Sequence, residues 1–387
     1  MDDKEIGRIV VSENEDGKAV WEFEGLVTSN VKLNTKIQHF AGAINELYDL
    51  FSEEGGGGDE PIEDWQPPAD WLTVPDPAEN EIYLLIEVID DAITNTVDFA
   101  GGLRKPENGY GGYGALYIDW GDGKIYSYPE FGWTNENETL KHTYTSTGQY
   151  LVKIVTEISE NNVFLKLQNK NNVLICKTGS GIVFSYDNYP TYLYSELFFG
   201  ARMEYFKHFG STDSVLKGFF RNCNGLVKIE FGEPMKKVLE EDFWGCSALR
   251  ILDTSEILTI EKGGFYNSSG FINSFPKCIE IGEEAFRGSY LSKIDIPNCE
   301  KLGKNALQIS RIRKISIPKC ESIGEYALAN CEQLESADVS ACETLSNGAF
   351  SGCYNLSEVS VSDECSFGEN CFNGCYKLYP RPDGSIN

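Results

Sequence analysis

The sequence predicts a mainly β, multidomain fold, and three observations along the chain lead to that prediction. Near the start, two strand-like runs flank a turn and are followed by one short helical pattern. Between residues 71 and 160, short apolar runs alternate with turns rich in glycine, asparagine and aspartate. From residue 215 onward the chain repeats with a period of 21 to 23 residues, which is typical of a solenoid. We therefore expect a hairpin with a helix, a β-sandwich and a repeat solenoid, in that order.

Residues 1–54 are predicted to form a hairpin and a helix that anchor the chain. Strand-like runs at 8–12 and 19–23 flank a turn around Asp16-Gly17. The stretch 33–51 spaces its apolar residues by three and four, which gives a helix one apolar seam. The seam consists of Ile37, Phe40, Ile44, Leu47 and Phe51. Because so small a unit cannot bury the seam alone, we expect self-association, such as a trimer, or another protein to cover it. Packing of the helix on its own hairpin is the alternative.

Residues 55–70 are predicted to be a linker. The glycines 55–58 are followed by the acidic, proline-containing stretch DEPIEDWQPPADW, a composition that favours an extended, flexible connection.

Acidic groups dominate the first 160 residues of the chain. Residues 1–70 carry 5 basic and 17 acidic groups, and residues 71–160 carry 5 basic and 15 acidic groups. Because the net charge is -27, the chain should repel nucleic acid, and we expect no nucleic-acid partner.

Residues 71–160 are predicted to form the sandwich. Residues 81–89 make an apolar strand, and the motif DWGDG at 119–123 makes a turn between two more strands. A second motif, HTYTSTGQY at 142–150, leads into an alternating strand. Together these motifs resemble the PKD-type immunoglobulin-like domain, a family of spacers and binding modules, although the middle segment is longer here. Asp119 and Asp122 either bind calcium or hold the turn through carboxylate-to-backbone hydrogen bonds, and we favour the hydrogen bonds.

The repeats share one anchor position, which is an aromatic residue or leucine in every unit. The anchors are Phe220, Phe243, Phe265, Phe286, Leu307, Leu328, Phe350 and Phe372. Each unit also carries a pattern such as L-x-x-I-x-I, which predicts a short strand with alternate side chains turned inward. No unit can bury its apolar face alone, so neighbouring units have to stack.

The cysteines follow the same period, which indicates that most of them are core residues. Five lie three residues after an anchor, where serine replaces cysteine in other units, and five share a second column after the strand. Small buried side chains fit both columns, and the serine replacements argue against obligatory disulfides. The chain has three histidines and none lies in the repeats, so we expect no zinc site. We also expect no cofactor and no enzyme activity, since no catalytic constellation stands out.

Over residues 215–380 the repeats resemble the BspA-type leucine-rich repeats. This resemblance implies a leucine-rich-repeat solenoid over 215–387, with a C-terminal cap, whose usual role is adhesion or protein binding. Residues 161–214 are irregular and rich in aromatic residues, and we expect them to form an N-terminal cap. The candidate ligand face is the outward surface of the strands. The residues predicted on this face are Lys228, Lys293, Asp295, Arg313, Lys314 and Asp338.

The stretch NTKIQHFAGAINEL at 34–47 resembles a segment that is frequent in structural proteins of tailed bacteriophages. The block at 67–88, PPADWLTVPDPAENEIYLLIEV, is similar to accessory fibre proteins of the same viruses. These resemblances imply a virion surface protein: a tail fibre, a baseplate-associated protein or a head fibre. Its N-terminus would dock on other virion proteins, and its repeats would bind a protein or glycan of the host cell. Such a protein is made in the host cytoplasm and released by lysis, and no apolar run predicts membrane insertion.

Three alternatives stay open at this point. The first is a bacterial surface adhesin with the same repeats, although the start, MDDKEIGRIVV, does not read as a signal peptide and no wall-anchoring tail is evident. The second is a capsid decoration protein without receptor specificity. The third is a depolymerase that acts on host polysaccharide, which would need an acid pair in a groove.

Overall fold

The structure is a computed structural model of the 387-residue chain. It describes residues 8–13, 19–24, 65–89, 96–100, 115–127, 139–156, 173–182, 203–212, 217–268 and 270–384. The regular elements among these residues are all β-strands, and the chain divides into a unit of residues 1–60 and a unit of residues 61–387. The predicted helix, with its seam of Ile37, Phe40, Ile44, Leu47 and Phe51, lies outside the described residues.

The first unit contains two paired strands. β1 (Arg8–Glu13) and β2 (Ala19–Glu24) run antiparallel, with Arg8 opposite Glu24 and Glu13 opposite Ala19. Their sequences, RIVVSE and AVWEFE, are rich in β-branched and aromatic residues, which favour the pleated backbone of a strand. The helical part of the predicted anchor stays a prediction.

In the second unit, one mixed sheet of seven strands joins the region before the repeats to the first repeat. The strands of this region are β3 (Glu81–Val88), β4 (Thr96–Ala100), β5 (Ala115–Asp119), β6 (Ile125–Ser127), β7 (Thr139–Thr143), β8 (Gly148–Thr156), β9 (Val173–Thr178), β10 (Tyr205–His208) and β11 (Lys228–Phe231). The order in the sheet is β11-β10-β9-β3-β8-β5-β6. β9, β10 and β11 are parallel to one another, whereas β9 and β8 both run antiparallel to β3. The predicted sandwich and the predicted cap therefore share one sheet.

A separate two-stranded sheet pairs β4 with β7, with Thr96 opposite Thr143. Its residue Val97 belongs to the same buried core as Trp120, which follows β5, and Ile154 of β8. These two sheets contain all the strands that the structure describes within residues 71–160, and the immunoglobulin-like sandwich stays a prediction.

The seven-stranded sheet has a core on each of its faces because its central strand is apolar on both sides. In β3, Ile82 and Leu84 belong to the main core, which continues through the repeats. On the other face, Tyr83 and Leu85 belong to a smaller core that includes Ile175 of β9. Residues 65–74 contribute to this smaller core and so cover part of the outer face.

The repeats form a ladder of very short parallel strands. One row consists of β12 (Lys237–Val238), β13 (Thr259–Ile260), β14 (Glu280–Ile281), β15 (Lys301–Leu302), β17 (Ser322–Ile323), β19 (Thr344–Leu345) and β21 (Ser366–Phe367). A second row consists of β16 (Lys314–Ser316), β18 (Ser336–Val339) and β20 (Glu358–Val361). Equivalent residues of successive units pair directly, so each unit extends the core by one layer, as predicted for a leucine-rich-repeat solenoid.

The predicted anchors stack through the core. The rings of Phe243 and Phe265 lie 5.1 Å apart, and those of Phe265 and Phe286 lie 5.2 Å apart and almost parallel, at 4°. Leu307 and Leu328 continue the row as fully buried side chains. The anchor positions therefore meet because the period brings one apolar side chain per unit to the same place.

The predicted role of the cysteines is confirmed. All twelve are free, and all are buried except Cys365, which is half-buried. In the column after the anchors, the Cys353 thiol donates to the Leu328 carbonyl oxygen at 3.1 Å, and the Cys375 thiol donates to that of Phe350 at 3.1 Å. Serine fits the same column, since Ser289 Oγ donates to the Phe286 carbonyl oxygen at 2.6 Å. A small side chain that can donate one hydrogen bond is what this column requires.

Candidate ligand-binding surfaces

The outward strand face of the repeats is built by alternation along each strand. In β16, Lys314 and Ser316 are exposed while Ile315 between them is buried. β18 pairs with β16 in register, so Asp338 lies beside Ser316. Successive outward residues therefore form straight columns, one step apart for each repeat.

One of these columns alternates serine and aspartate. Ser274 Oγ donates to Asp295 Oδ2 at 3.2 Å, and Ser316 Oγ donates to Asp338 Oδ2 at 3.2 Å. In the next unit the same position is Ser360, which pairs with Asp338 in the backbone register. The hydroxyl groups orient the carboxylates, so the column offers fixed hydrogen-bond acceptors along the solenoid.

Five of the six predicted face residues lie near one another on this surface. Lys293 and Asp295 are exposed in one unit, and Arg313 and Lys314 are exposed in the next unit. The two units are joined where the Arg311 N–H donates to the Leu291 carbonyl oxygen at 2.9 Å. The predicted face is thus a mixed surface of carboxylate, hydroxyl and basic groups, presented by consecutive units.

Lys228 has different surroundings from the other five. It lies in β11 of the seven-stranded sheet, and its side chain is only 16% exposed. Its Nζ is 2.9 Å from Glu230 Oε1 and 5.6 Å from the centre of the Tyr205 ring. Lys228 therefore belongs to the region where the sheet meets the segment 65–74.

That region contains a cavity of about 400 Å³, which the sequence did not reveal. Trp65, Trp71 and Tyr205 supply its aromatic walls, and Lys177 and Lys228 supply its charged groups. The sequence pattern assigns Trp65 to the linker because proline and acidic residues surround it. The signal that could have identified the cavity is the pair of tryptophans in that segment, since such large apolar side chains seldom stay exposed.

The DWGDG turn is held by the hydrogen bonds that the sequence favours. Asp119 Oδ1 accepts the Gly121 N–H at 2.9 Å, and Asp122 Oδ1 accepts the Lys124 N–H at 3.1 Å. Asp122 Oδ2 lies 3.0 Å from His142 Nε2. Both carboxylates are therefore engaged by groups of the protein itself, which explains the turn without a metal ion.

His142 and the aromatic residues around it join this turn to the core. Its ring stacks on Trp120, with centroids 4.6 Å apart, and Tyr144 Oη donates to the Trp120 carbonyl oxygen at 3.0 Å. Burial lowers the pKa of His142, although Asp122 opposes the shift. Burial alone would raise the pKa of Asp122, but the Lys124 N–H and His142 hold it below its usual range. At neutral pH the carboxylate thus accepts its hydrogen bonds in the ionised form.

Metal-binding clusters and membrane-spanning helices are both absent from the described ranges. No group of three or more His, Cys, Asp or Glu side chains there is arranged to hold a metal ion. The same part of the chain contains no helix with the length and apolar character needed to cross a membrane.

The fold and its anchor columns define the repeat region as a parallel solenoid of leucine-rich repeats. Residues 191–274 and 259–379 match the family model of the BspA type leucine-rich repeat region, in six copies. The repeats of this protein are thus BspA-type leucine-rich repeats, and the match begins inside the segment expected to form the cap.

The solved structures that are similar to this chain include the following three. A leucine rich cell surface protein from Faecalibacterium prausnitzii A2-165 is 17% identical, with 57% of this chain and 74% of that chain covered, at a TM-score of 0.37. A leucine rich repeat protein of T. pallidum is 20% identical, with 46% and 80% covered, at a TM-score of 0.33. The pneumococcal vaccine antigen PcpA is 13% identical, with 57% and 77% covered, at a TM-score of 0.33. Among curated proteins, none matches the chain.

Proposed function

We propose that this protein is an adhesin-like binding protein, carried on the surface of a tailed-phage particle, that contacts the host cell through its repeats. The observation that carries the proposal is the serine–aspartate column on the outward strand face, with Lys293, Arg313 and Lys314 beside it. Each contact to such a surface is weak in water. Affinity would come from several repeats that bind one long molecule, and from several copies on one particle.

The proposed binding partner is a protein or glycan of the host surface. Carboxylate and hydroxyl oxygens accept hydrogen bonds from sugar hydroxyl groups, and the lysines donate to them. Parallel pairing keeps these groups at a constant step of about 5 Å per unit, so an extended partner can meet the same chemistry in each unit. This binding needs no cofactor and no catalysis, and the net charge of -27 disfavours nucleic acid as the partner.

The proposed location rests on the N-terminal sequence. Residues 34–47 resemble a segment of tailed-phage structural proteins, and the apolar seam of the predicted helix would dock on other virion proteins, with the chain present as a trimer. A tail fibre, a baseplate-associated protein and a head fibre all fit this arrangement. In each, the part of the predicted linker before Trp65 would give the displayed regions reach from the particle surface.

Electron microscopy of particles purified from a lysate tests the proposal, with gold-bound antibody raised against residues 161–387. Gold at the tail end is the expected result and supports receptor binding. Gold over the head supports display on the particle as a head fibre or as a capsid decoration protein, with a weaker, general adhesive role. Gold on cell envelopes alone contradicts the virion location and favours the bacterial surface adhesin. Release of oligosaccharides from host polysaccharide by the purified chain would favour the depolymerase.

A further inference from the structure

The cavity at the outer face of the seven-stranded sheet has a floor made by three neighbouring strands. Backbone register places Ile175 of β9 beside Tyr205 of β10, and Tyr205 beside Lys228 of β11. All three side chains line the cavity. The floor therefore changes from aliphatic to aromatic to cationic over the width of three strands.

The roof of the cavity is the segment 65–74, which is tied to the sheet at several points. The rings of Trp65 and Tyr205 lie 5.6 Å apart, and the Leu72 N–H donates to Gln149 Oε1 at 2.8 Å. Lys177 Nζ donates to the Val74 carbonyl oxygen at 2.8 Å. These ties hold the roof in place through contacts within the chain, and a largely preformed wall is usual for a small-molecule site.

The charged side chains that line the cavity are basic, whereas the chain as a whole is acidic. Two lysines, Lys177 and Lys228, line it, and none of the described aspartates or glutamates does, whereas the chain as a whole has a net charge of -27. The carboxylates that pair with these lysines, Asp76 and Glu230, are not among the lining residues. An ammonium group has three N–H donors, so Lys228, which donates one to Glu230, can still donate to a ligand.

We propose that this cavity binds a saccharide unit that carries a carboxylate, such as a uronic acid residue of a cell-surface glycan. The C–H faces of a pyranose ring pack on aromatic rings, which Trp65, Trp71 and Tyr205 provide. The carboxylate is attracted by Lys228 and by Lys177, and the volume of about 400 Å³ lies in the range of small-ligand pockets. A purely apolar ligand would cover the lysine ammonium groups and give their remaining N–H donors no acceptor.

This site goes beyond the strand face proposed above, because it uses neither the serine–aspartate column nor Lys314. The two sites can therefore fail independently. Binding at the cavity recognises one acidic unit, whereas binding at the strand face follows the length of the solenoid.

Titration of the full chain with trigalacturonate, followed by tryptophan fluorescence and calorimetry, tests this inference. We expect saturable binding that perturbs the fluorescence, since two tryptophans line the cavity. Lys228→Gln shortens the side chain only slightly but removes its charge, and it should weaken binding about tenfold or more. Lys262→Gln, which removes an exposed lysine outside both proposed sites that pairs with Glu283, is the matched control and should bind as the wild type does. Trigalactose, the neutral analogue, should bind more weakly to the wild type than trigalacturonate does.

The inference is overturned by no saturable binding of trigalacturonate, by equal binding of the neutral trisaccharide, or by equal loss in the Lys228→Gln and Lys262→Gln variants. Equal loss would mean that the acidic saccharide responds to the overall charge of the chain and not to the cavity. If Lys228→Gln fails to fold, a salt titration of the wild type replaces it as the test. Added salt should weaken the binding of trigalacturonate much more than the binding of trigalactose. An acidic peptide that binds as tightly as trigalacturonate would also overturn the saccharide assignment.

Discussion

Asp242 carries a carboxyl group into the core of the solenoid, and its replacement by asparagine should remove a pH dependence of folding. It directly precedes the anchor Phe243, where most later units hold glycine or alanine. The residue is only 6% exposed. Its Oδ1 accepts the Gly218 N–H at 2.9 Å and its Oδ2 accepts the Leu239 N–H at 2.7 Å.

The size of the effect follows from the pKa of this carboxyl. Burial raises the pKa from the ordinary 3.8 to about 7, although the two backbone N–H groups oppose the shift. The folded chain thus holds the proton more tightly than the unfolded chain does. The stabilising contribution is fully present below about pH 4 and is lost as the pH rises through about 7. A difference of about three pH units corresponds to roughly 4 kcal/mol.

The assay is urea unfolding of the wild type and of Asp242→Asn at several values between about pH 4 and pH 8. Other carboxyls contribute with the opposite sign, since the pKa values of Glu81 and Glu230 are lowered in the folded chain. Their contributions cancel when the variant is subtracted from the wild type. The difference in unfolding free energy should therefore fall by several kcal/mol from acid to neutral pH. The asparagine of the variant cannot titrate, so any hydrogen bond that it loses adds only a constant offset.

Asp253→Asn is the matched control, because Asp253 is an exposed aspartate of the solenoid. Its Oδ1 accepts the Ser255 N–H at 3.0 Å, and an asparagine keeps that oxygen. This control should show no such pH-dependent difference. A difference between wild type and Asp242→Asn that stays constant with pH would refute the reasoning, because it would mean that burial does not keep the proton on Asp242.

Three further predictions concern the repeat core. Phe286→Ala should lower the free energy of unfolding, measured in urea, by about 3–5 kcal/mol, because it opens a cavity in the anchor row. Phe286→Leu should lower it much less, and equal losses in the two variants would contradict the stacking of the anchors. A thiol reagent should label the folded chain only slowly and only at Cys365, since the other cysteines are buried. Rapid labelling of several thiols would contradict this burial. Gly348 has a φ of 61° and faces the Tyr326 ring. Gly348→Ala should therefore lower the unfolding free energy by about 1 kcal/mol or more. Adding Tyr326→Ala should recover part of that loss, and no recovery would show that the contact with the ring does not cause it.

The repeat ladder was predictable because its contacts are fixed by the period. Phe243, Phe265 and Phe286 recur at steps of 22 and 21 residues, and in-register parallel pairing brings equal positions together. Alternation in β16 likewise identified Lys314 as outward and Ile315 as inward. Local pattern and final contact agree here because each unit meets only its neighbours.

The shared sheet could not be predicted, because its pairings have no period. β9 and β10 are short apolar runs in an irregular segment, and nothing local indicates that β9 pairs with the distant strand β3. Lys228 is separated from the rest of the predicted face because its strand, β11, belongs to this sheet. There, β10 pairs with β11 and brings Tyr205 beside Lys228. At Trp65 the local composition also gave a wrong indication. Its proline and acidic neighbours indicated an extended linker, but the Trp65 ring packs on Tyr205.

Binding of the purified full chain to the bacterial cells that yield the particles tests the central claim most directly. The variant Asp295→Asn, Lys314→Gln, Asp338→Asn removes three charges from the outward strand face. Its control, Lys262→Gln with Lys304→Gln, removes two lysines that pair with Glu283 and Glu325 at 3.2 and 3.0 Å. We predict saturable binding of the wild type. The affinity should fall about tenfold or more in the strand-face variant and stay unchanged in the control. Equal binding by the strand-face variant and the wild type would contradict this prediction.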